Sequence, residues 1–165
     1  MDGVVSMNNE GKVPSVSKTF LTDLVLPGDT NQYNSIFGGK VMAYVDKIAG
    51  IAAMRHCRKP VVTASSDSFD FHAPIRSGQA ICLEAFVIWS HHTSMVVYIK
   101  VEGENLMTGE KRLTSEAFLT MIAIDHNGKP SSVPKVIPET EWEKELYNRA
   151  EEKYQERKRR KQHSK

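Results

Sequence analysis

Apolar positions recur along this chain in two rhythms, one of period two and one of helical period, and the switches between them mark the elements. KTFLTDLVL (18–26) reads as a first strand. PGDTNQYNSIFGG (27–39) is dense in turn formers and reads as a loop. From about Gly39 to Cys57 the spacing becomes helical. Val41, Val45, Ile48, Ala49 and Ala52 fall on one stripe, and Lys40, Lys47 and Arg55 fall on the other side. RKP (58–60) ends this helix. VVTASSDSFDF (61–71) is an alternating strand rich in β-branched residues, and HAPIRSG (72–78) is a turn. QAICLEAFVIWS (79–90), MVVYIKVEGE (95–104) and RLTSEAFLTMIAID (112–125) are three more strands, joined by an HHTS turn and an NLMTGEK loop. Beyond the HNGKPSSVP loop (126–134), PETEWEKELYNRAEEKYQERKRRKQ (138–162) is a charged helix whose acidic first turn suits the helix dipole.

The short connections make the last three strands antiparallel. One long apolar helix among five strands has to be covered by the sheet. The order therefore predicts an α+β fold in which the sheet wraps round the helix and leaves an edge that can pair with a second copy. Residues 1–16 are polar, with Gly and Pro, and are expected to be mobile.

With 165 residues and no internal repeat, the chain is expected to be one domain with a substantial core. A net charge of +2 gives little general attraction to nucleic acid or membrane, and no apolar run reaches the roughly 20 residues that span a bilayer. Cys57 and Cys82 have no metal-like spacing, and MDGVVSMNNEGKVPS lacks the pattern of a secretion signal. Reduced thiols in a cytoplasmic protein are the expectation. The RKRRK run (157–161) is either a solvated helix end or a patch for an acidic partner.

Asp46 breaks the pattern of the central helix. Its neighbours at three and four residues are Met42, Ala43, Ala49 and Gly50, so it is expected to flank the buried side. A carboxylate loses hydration there and Asp is a poor helix former, so it either has a hidden structural partner or does chemistry. Gly38 and Gly39 stand where the loop enters the helix. They are either a plain turn or a pair of exposed N–H donors at the positive end of the dipole. Asn31, with Asn34 and Ser35 close by, lies in the same turn-rich loop. His56 ends the helix, where a partial positive charge is favoured, and His72 stands before a turn proline. No third ligand is spaced to make a metal site of either.

The run NQYNSIFGGKVMAYVDKIAGIAAMRHC, then VVTASSDSFDFHAPIRSGQAI, then the HTSM turn, resembles the hotdog-fold acyl-CoA thioesterases, and within them the cytosolic acyl-CoA hydrolase branch. The likeness covers about Leu24 to Arg160. FGG alone is weak, but FGG with Asp46, RHC, VTAS and TSM together is specific. The resemblance implies a hotdog fold, a long central helix wrapped by a five- or six-stranded antiparallel sheet, at 17–135. A flexible N-terminus (1–16) would precede it, and a charged C-terminal helix with a basic tail (136–165) would follow. It implies a homodimer joined sheet to sheet, often assembled further as a trimer of dimers.

The activity implied is hydrolysis of acyl-CoA to free fatty acid and CoA, with no metal or redox cofactor. Asp46 would be the catalytic carboxylate, meeting Asn31 of the other subunit, with the Gly38 and Gly39 amides helping to polarise the carbonyl. Ala64, Ser65, Ser66, Thr93, Ser94 and Met95 would contact CoA, and Lys153 of the last helix would reach its phosphates. His91 and His92 depart from the family, some members of which carry Arg or Lys before this turn. Met42, Phe69 and Phe71 are candidates for the acyl side, or simply core. One carboxylate suffices for the chemistry, as base or nucleophile, because a thiol of pKa about 8.5 is a good leaving group. No G-x-S-x-G elbow is present. The alternatives are a non-catalytic acyl-CoA sensor on the same fold and a hydroxyacyl dehydratase, whose chemistry wants a helix His near Asp46 that this helix lacks.

Overall fold

Helix α1 (Gly38–Cys57) is the axis on which the chain folds. The structure, a computed structural model, describes residues 10–164. Five strands form one antiparallel sheet: β1 (Thr19–Leu24), β2 (Val61–Phe71), β3 (Ala80–His91), β4 (Ser94–Glu104) and β5 (Lys111–Ala123), in the order β1-β3-β4-β5-β2. The C-terminal helix α2 spans Glu141–His163. The hotdog arrangement read from the sequence is what the chain adopts, with five strands rather than six.

The helix stripe read from the sequence is the stripe that is buried: Val41, Val45, Ile48, Ala49 and Ala52. It faces alternate residues of the sheet, among them Ile81, Leu83 and Val87 on β3, Val97 and Ile99 on β4, and Leu119 and Met121 on β5. Each such aliphatic side chain contributes about 1.5–3 kcal/mol on full burial. Alanines 49 and 52 on the helix and 85 and 117 on the sheet leave room for the two layers to approach.

The outer face of the sheet has a second, smaller core. Phe86, Ile88 and Tyr98 point outward by alternation, and an irregularity between Val87 and Trp89 brings Trp89 to the same side. Leu146 and Ala150 of α2 cover them. Thr140 caps α2 reciprocally: it accepts from Glu143 N at 3.1 Å, while the Glu143 carboxylate accepts from Thr140 N at 3.2 Å.

Two expectations change here. Residues 10–16 are tied to the body of the protein rather than loose. Lys12 N donates to Lys135 O at 2.8 Å, Ile137 N donates to Lys12 O at 2.9 Å, and Lys12 Nζ reaches His56 O at 2.7 Å. Backbone pairing, invisible in composition, holds this stretch; residues 1–9 lie outside the described residues. His56, which ends the helix where a partial positive charge is favoured, is instead fully buried, with Nε2 at 2.9 Å from Pro134 O and Nδ1 without a partner. Burial holds its imidazole below the usual range, so it sits neutral in the core. Among the described residues, no helix is long and apolar enough to cross a membrane.

Candidate active site

Three pieces of the chain meet along one side of α1: the loop before it, its first turn, and the edge strand β2. The loop is held by Phe37 N donating to Asp29 O at 3.0 Å and Ile36 N to Ile75 O at 2.8 Å. Within it, Asn31 Oδ1 accepts from Tyr33 N at 2.9 Å, from Ser35 N at 3.3 Å and from Ser35 Oγ at 3.2 Å. Asn34 completes the turn at φ 58°, a left-handed position that Asn tolerates. The carbonyl end of the Asn31 side chain is therefore occupied by its own turn. The Nδ2 amide has no acceptor among the described residues and remains as a donor.

Gly38 opens the helix, one residue before the start read from the sequence. Its N-cap, Phe37, is extended and offers no side-chain cap. The first amides of α1 thus have no acceptor one turn back and lie at the positive end of the dipole. The Phe71 ring, from the far end of β2, closes over Gly38; a Cβ there would lie 3.4 Å from Phe71 Cζ. Nothing stands within 4 Å of such a group at Gly39.

Asp46 is exposed within the single chain, against the expectation that it flanks the buried side. The sheet ends at β2, and among the described residues no further strand continues it past that side of the helix. Its Oδ1 accepts a 2.6 Å hydrogen bond from Thr63 Oγ1 on β2, the length of a charge-assisted bond to a carboxylate. The surroundings are apolar yet open: Met42, one turn earlier, is 51% exposed and Phe71 is 54% exposed. Thr63 is the residue sequence reasoning missed. It lies in the VTAS motif, but a Thr in an alternating strand carries no mark of what it faces.

The other predicted positions divide. Ala64, Ser65 and Ser66 are exposed on β2, with Ala64 at an irregularity that leaves it outside the β2–β5 register. Thr93 lies in the β3–β4 turn and Ser94 opens β4, where its Oγ donates to His91 O at 3.1 Å. The Met95 side chain is fully buried in the core with α1, because alternation sends 94 outward and 95 inward. Lys153 lies over the Phe118 ring at 5.3 Å on the outer face. Phe69 is half-buried against the core and meets Phe71 edge to face.

His91 is engaged rather than free. Its Nε2 is 2.8 Å from Tyr154 OH, its ring stacks on Trp89, and burial followed by the neighbouring His92 lowers its pKa. No hydrogen bond joins Asn31 to Asp46 within the chain. Among the described residues no three His, Cys, Asp or Glu side chains group as a metal site.

The helix imposes one further constraint. Gly38 and Gly39 stand eight and seven residues before Asp46. At 1.5 Å per residue, that is about 10–12 Å along the axis. One carbonyl cannot touch both the amides and the carboxylate of the same α1.

A family model described as the Thioesterase superfamily matches residues 33–110. The "Uncharacterized acyl-CoA thioester hydrolase YkhA" of Bacillus subtilis (strain 168) is 53% identical over 148 residues, covering 90% of this chain and 86% of its own. Among solved structures, an apo-hexameric acyl-CoA thioesterase superposes with a TM-score of 0.88 at 50% identity, over 92% of this chain and 97% of that one. The acyl-CoA hydrolase from Staphylococcus aureus, solved with butyryl coenzyme A, coenzyme A and coenzyme A disulfide, gives a TM-score of 0.84 at 38% identity over 93% of each chain. That protein has also been solved with an Asp, an Asn and a Thr each replaced by Ala.

Proposed function

The chain belongs to the acyl-CoA thioester hydrolases of the thioesterase superfamily, and on that premise we propose that its active site is built from two subunits, Asp46 of one facing Asn31, Gly38 and Gly39 of the other. The substrate is an acyl-CoA, and the products are a fatty acid and CoA. Asp46 takes a proton from water as the water oxygen bonds to the thioester carbon. The carbonyl oxygen gains the negative charge and is met by the Gly38 and Gly39 amides and by Asn31 Nδ2. The tetrahedral intermediate then collapses, the C–S bond breaks, and the proton on Asp46 passes to the departing thiolate. Every group used is a protein group, and no metal or redox cofactor enters the scheme.

The observation that carries this reading is the state of Asp46: open to the outside, fixed by Thr63 at 2.6 Å, and set in an exposed apolar face beside an unpaired sheet edge. Such a face is suited to covering by a second copy. The separation along α1 points the same way, since the oxyanion donors have to come from another helix. In the S. aureus hydrolase the replaced Asn, Asp and Thr stand at the same spacings as Asn31, Asp46 and Thr63 do here. The hexameric relative supports assembly beyond the dimer. Two free thiols, Cys57 and Cys82, suit a reducing cytoplasm.

Thiol release from acyl-CoAs of graded chain length tests the proposal, with wild type beside Asp46→Ala and CoA binding measured in both. The expected result is a loss of kcat of about 10²–10⁴-fold with CoA binding retained. Equal turnover by the variant would remove Asp46 from the chemistry. Tight acyl-CoA binding by the wild type without turnover would make the protein a sensor.

A further inference from the structure

Lys40 stands where helix physics disfavours it. It is the third residue of α1, whose first turn contains no acid, so its ammonium lies at the positive end of the dipole. Cations are favoured at the other end of a helix, and a departure of this kind from a local rule is a mark of function. Two groups hold it there. Lys40 Nζ is 3.4 Å from Asp29 Oδ1 and 5.6 Å from the centre of the Tyr44 ring, one turn further along the helix. The Tyr44 hydroxyl in turn donates to Asp23 Oδ2 on β1.

Asp29 is the hub of this contact. It closes the short turn Pro27–Asp29, where its Oδ2 accepts from Leu26 N at 3.0 Å. That backbone bond, with Lys40 adding to it, holds its carboxyl below the ordinary carboxylate range, so it faces Lys40 as a charged partner at neutral pH. The Asp29 carbonyl accepts from Phe37 N at 3.0 Å, Thr30 bridges Ile36, and Asn31 N donates to Ser35 O at 2.8 Å. Residues 29–37 therefore form a small hairpin. Its tip turn is closed by the Asn31 side chain, and its base adjoins the start of α1.

One residue ties that base to the helix at two points. Phe37 N meets the Asp29 carbonyl, and Lys40, three residues on, meets the Asp29 carboxylate. A single contact leaves a pivot, and a second one nearly a helical turn away removes it. Asn31 lies two residues beyond Asp29, and Gly39 immediately precedes Lys40. The ion pair thus spans the two pieces of chain that carry the oxyanion donors of the mechanism above.

We propose that Lys40 is a positioning residue: paired with Asp29, it fixes the hairpin that carries Asn31 Nδ2 relative to the Gly38 and Gly39 amides, and so sets the spacing of the donors that meet the thioester oxygen. This rests on the thioesterase function above. Lys40 acts through the hairpin and not on the substrate. An exposed pair of this kind adds little to the stability of a fold, so its effect falls on turnover.

A double-variant cycle tests the pair. Lys40→Met keeps an apolar stem over Tyr44 and removes the charge. Asp29→Asn keeps an acceptor for Leu26 N and removes the charge of the other partner. Both, their double variant and Lys40→Arg are compared with wild type for kcat, KM and unfolding temperature. The substrate is the acyl-CoA of the graded series that wild type turns over fastest. Each single variant is expected to lose about three- to fivefold in kcat, the most that an exposed ion pair sustains, with KM within about twofold and the unfolding temperature unchanged. The double variant should lose no more than either single one, because one contact can be broken only once. Lys40→Arg should stay near wild type. Multiplied losses in the double variant, or full kcat in Asp29→Asn, would overturn the pairing. A higher KM at unchanged kcat in Lys40→Met would overturn the positioning role and make Lys40 a contact of the substrate. Unchanged kinetics in every variant would leave the pair a surface contact only and sink the proposal. A wild type without turnover across the whole series would overturn the thioesterase function, and with it the oxyanion to be positioned; an active wild type with uncoupled variants overturns the role of Lys40 alone.

Discussion

Thr63 on the edge strand donates its hydroxyl proton to Asp46 Oδ1 at 2.6 Å, and this bond ties the rim of the sheet to the open side of α1. A hydrogen bond of that length to a carboxylate fixes one oxygen in place. The other oxygen is left to meet water. Strand and helix thus hold this carboxylate from two directions, which a flexible loop would not do.

Replacing Thr63 by Val keeps the shape and removes the donor. We expect kcat to fall about tenfold or more with KM little changed, since the bond orients a reacting group rather than the substrate. Thr63→Ser should stay close to wild type. Steady-state kinetics on one acyl-CoA decides it, and a Val variant as active as wild type would make the bond merely structural.

Gly38→Ala separates a glycine kept for the helix from one kept for the ligand. The position is the first of α1, where Ala is the better helix former by up to about 1 kcal/mol, so thermal stability should hold or rise. The added methyl would stand 3.4 Å from Phe71, on the face where the proposed site receives the thioester. Turnover should fall by about tenfold or more, because small misplacements at the reacting centre are costly. Unchanged turnover would move the oxyanion away from this amide.

The succession of strands and helices along the chain and the buried stripe of α1 could be read from the residues because period two and helical period do not mimic one another. Val41, Val45 and Ile48 declare their face by spacing alone. The state of Asp46 could not be read this way. Its helical position is next to the core, but whether anything covers it depends on where the sheet stops, and the sheet stops at β2. The motif marks Met95 as a CoA contact, and the structure shows its side chain buried in the core, as strand alternation sends it. The docking of Lys12 on Lys135 rests on backbone groups, which every residue carries and no composition reveals.

His56 makes stability depend on pH in a direction that can be worked out. Burial holds the native imidazole below its ordinary pKa of about 6.5, while the unfolded chain titrates near that value. Above pH 6.5 both states are neutral and the full stability is present. As pH falls below 6.5 the unfolded chain takes up a proton that the native core resists, so stability drops, by at most about 1.4 kcal/mol per pH unit for one proton. Nδ1 has no partner to receive that proton's charge. Urea unfolding at pH 7.5 and pH 5.5 should show a larger loss in wild type than in His56→Gln, which has nothing to titrate there. Equal losses would assign the acid sensitivity to other groups.

Shared active sites make a prediction that a single-chain site cannot. Asn31→Asp keeps the Oδ1 acceptor on which Tyr33 and Ser35 depend, and removes the Nδ2 donor. Asp46→Ala removes the proposed base. Each variant alone should be nearly inactive, and a matching unfolding temperature would show that the fold survives. Co-expressed in equal amounts, the two chains pair at random. Half of the dimers are then mixed, and in each mixed dimer one site has lost both groups while the other keeps Asp46 and Asn31 intact. Activity should therefore return to about a quarter of wild type if the dimer is isologous, with Asp46 of each subunit meeting the partner's loop. The measurement is thioester hydrolysis by the purified mixture, with each variant assayed separately at the same total concentration. Recovery to that level places the base and the donor on different chains, as the 10–12 Å along α1 requires of the base and the Gly38–Gly39 amides. No recovery, with mixed dimers confirmed by mass, would return the whole site to one chain and leave the exposed face of α1 without its proposed role.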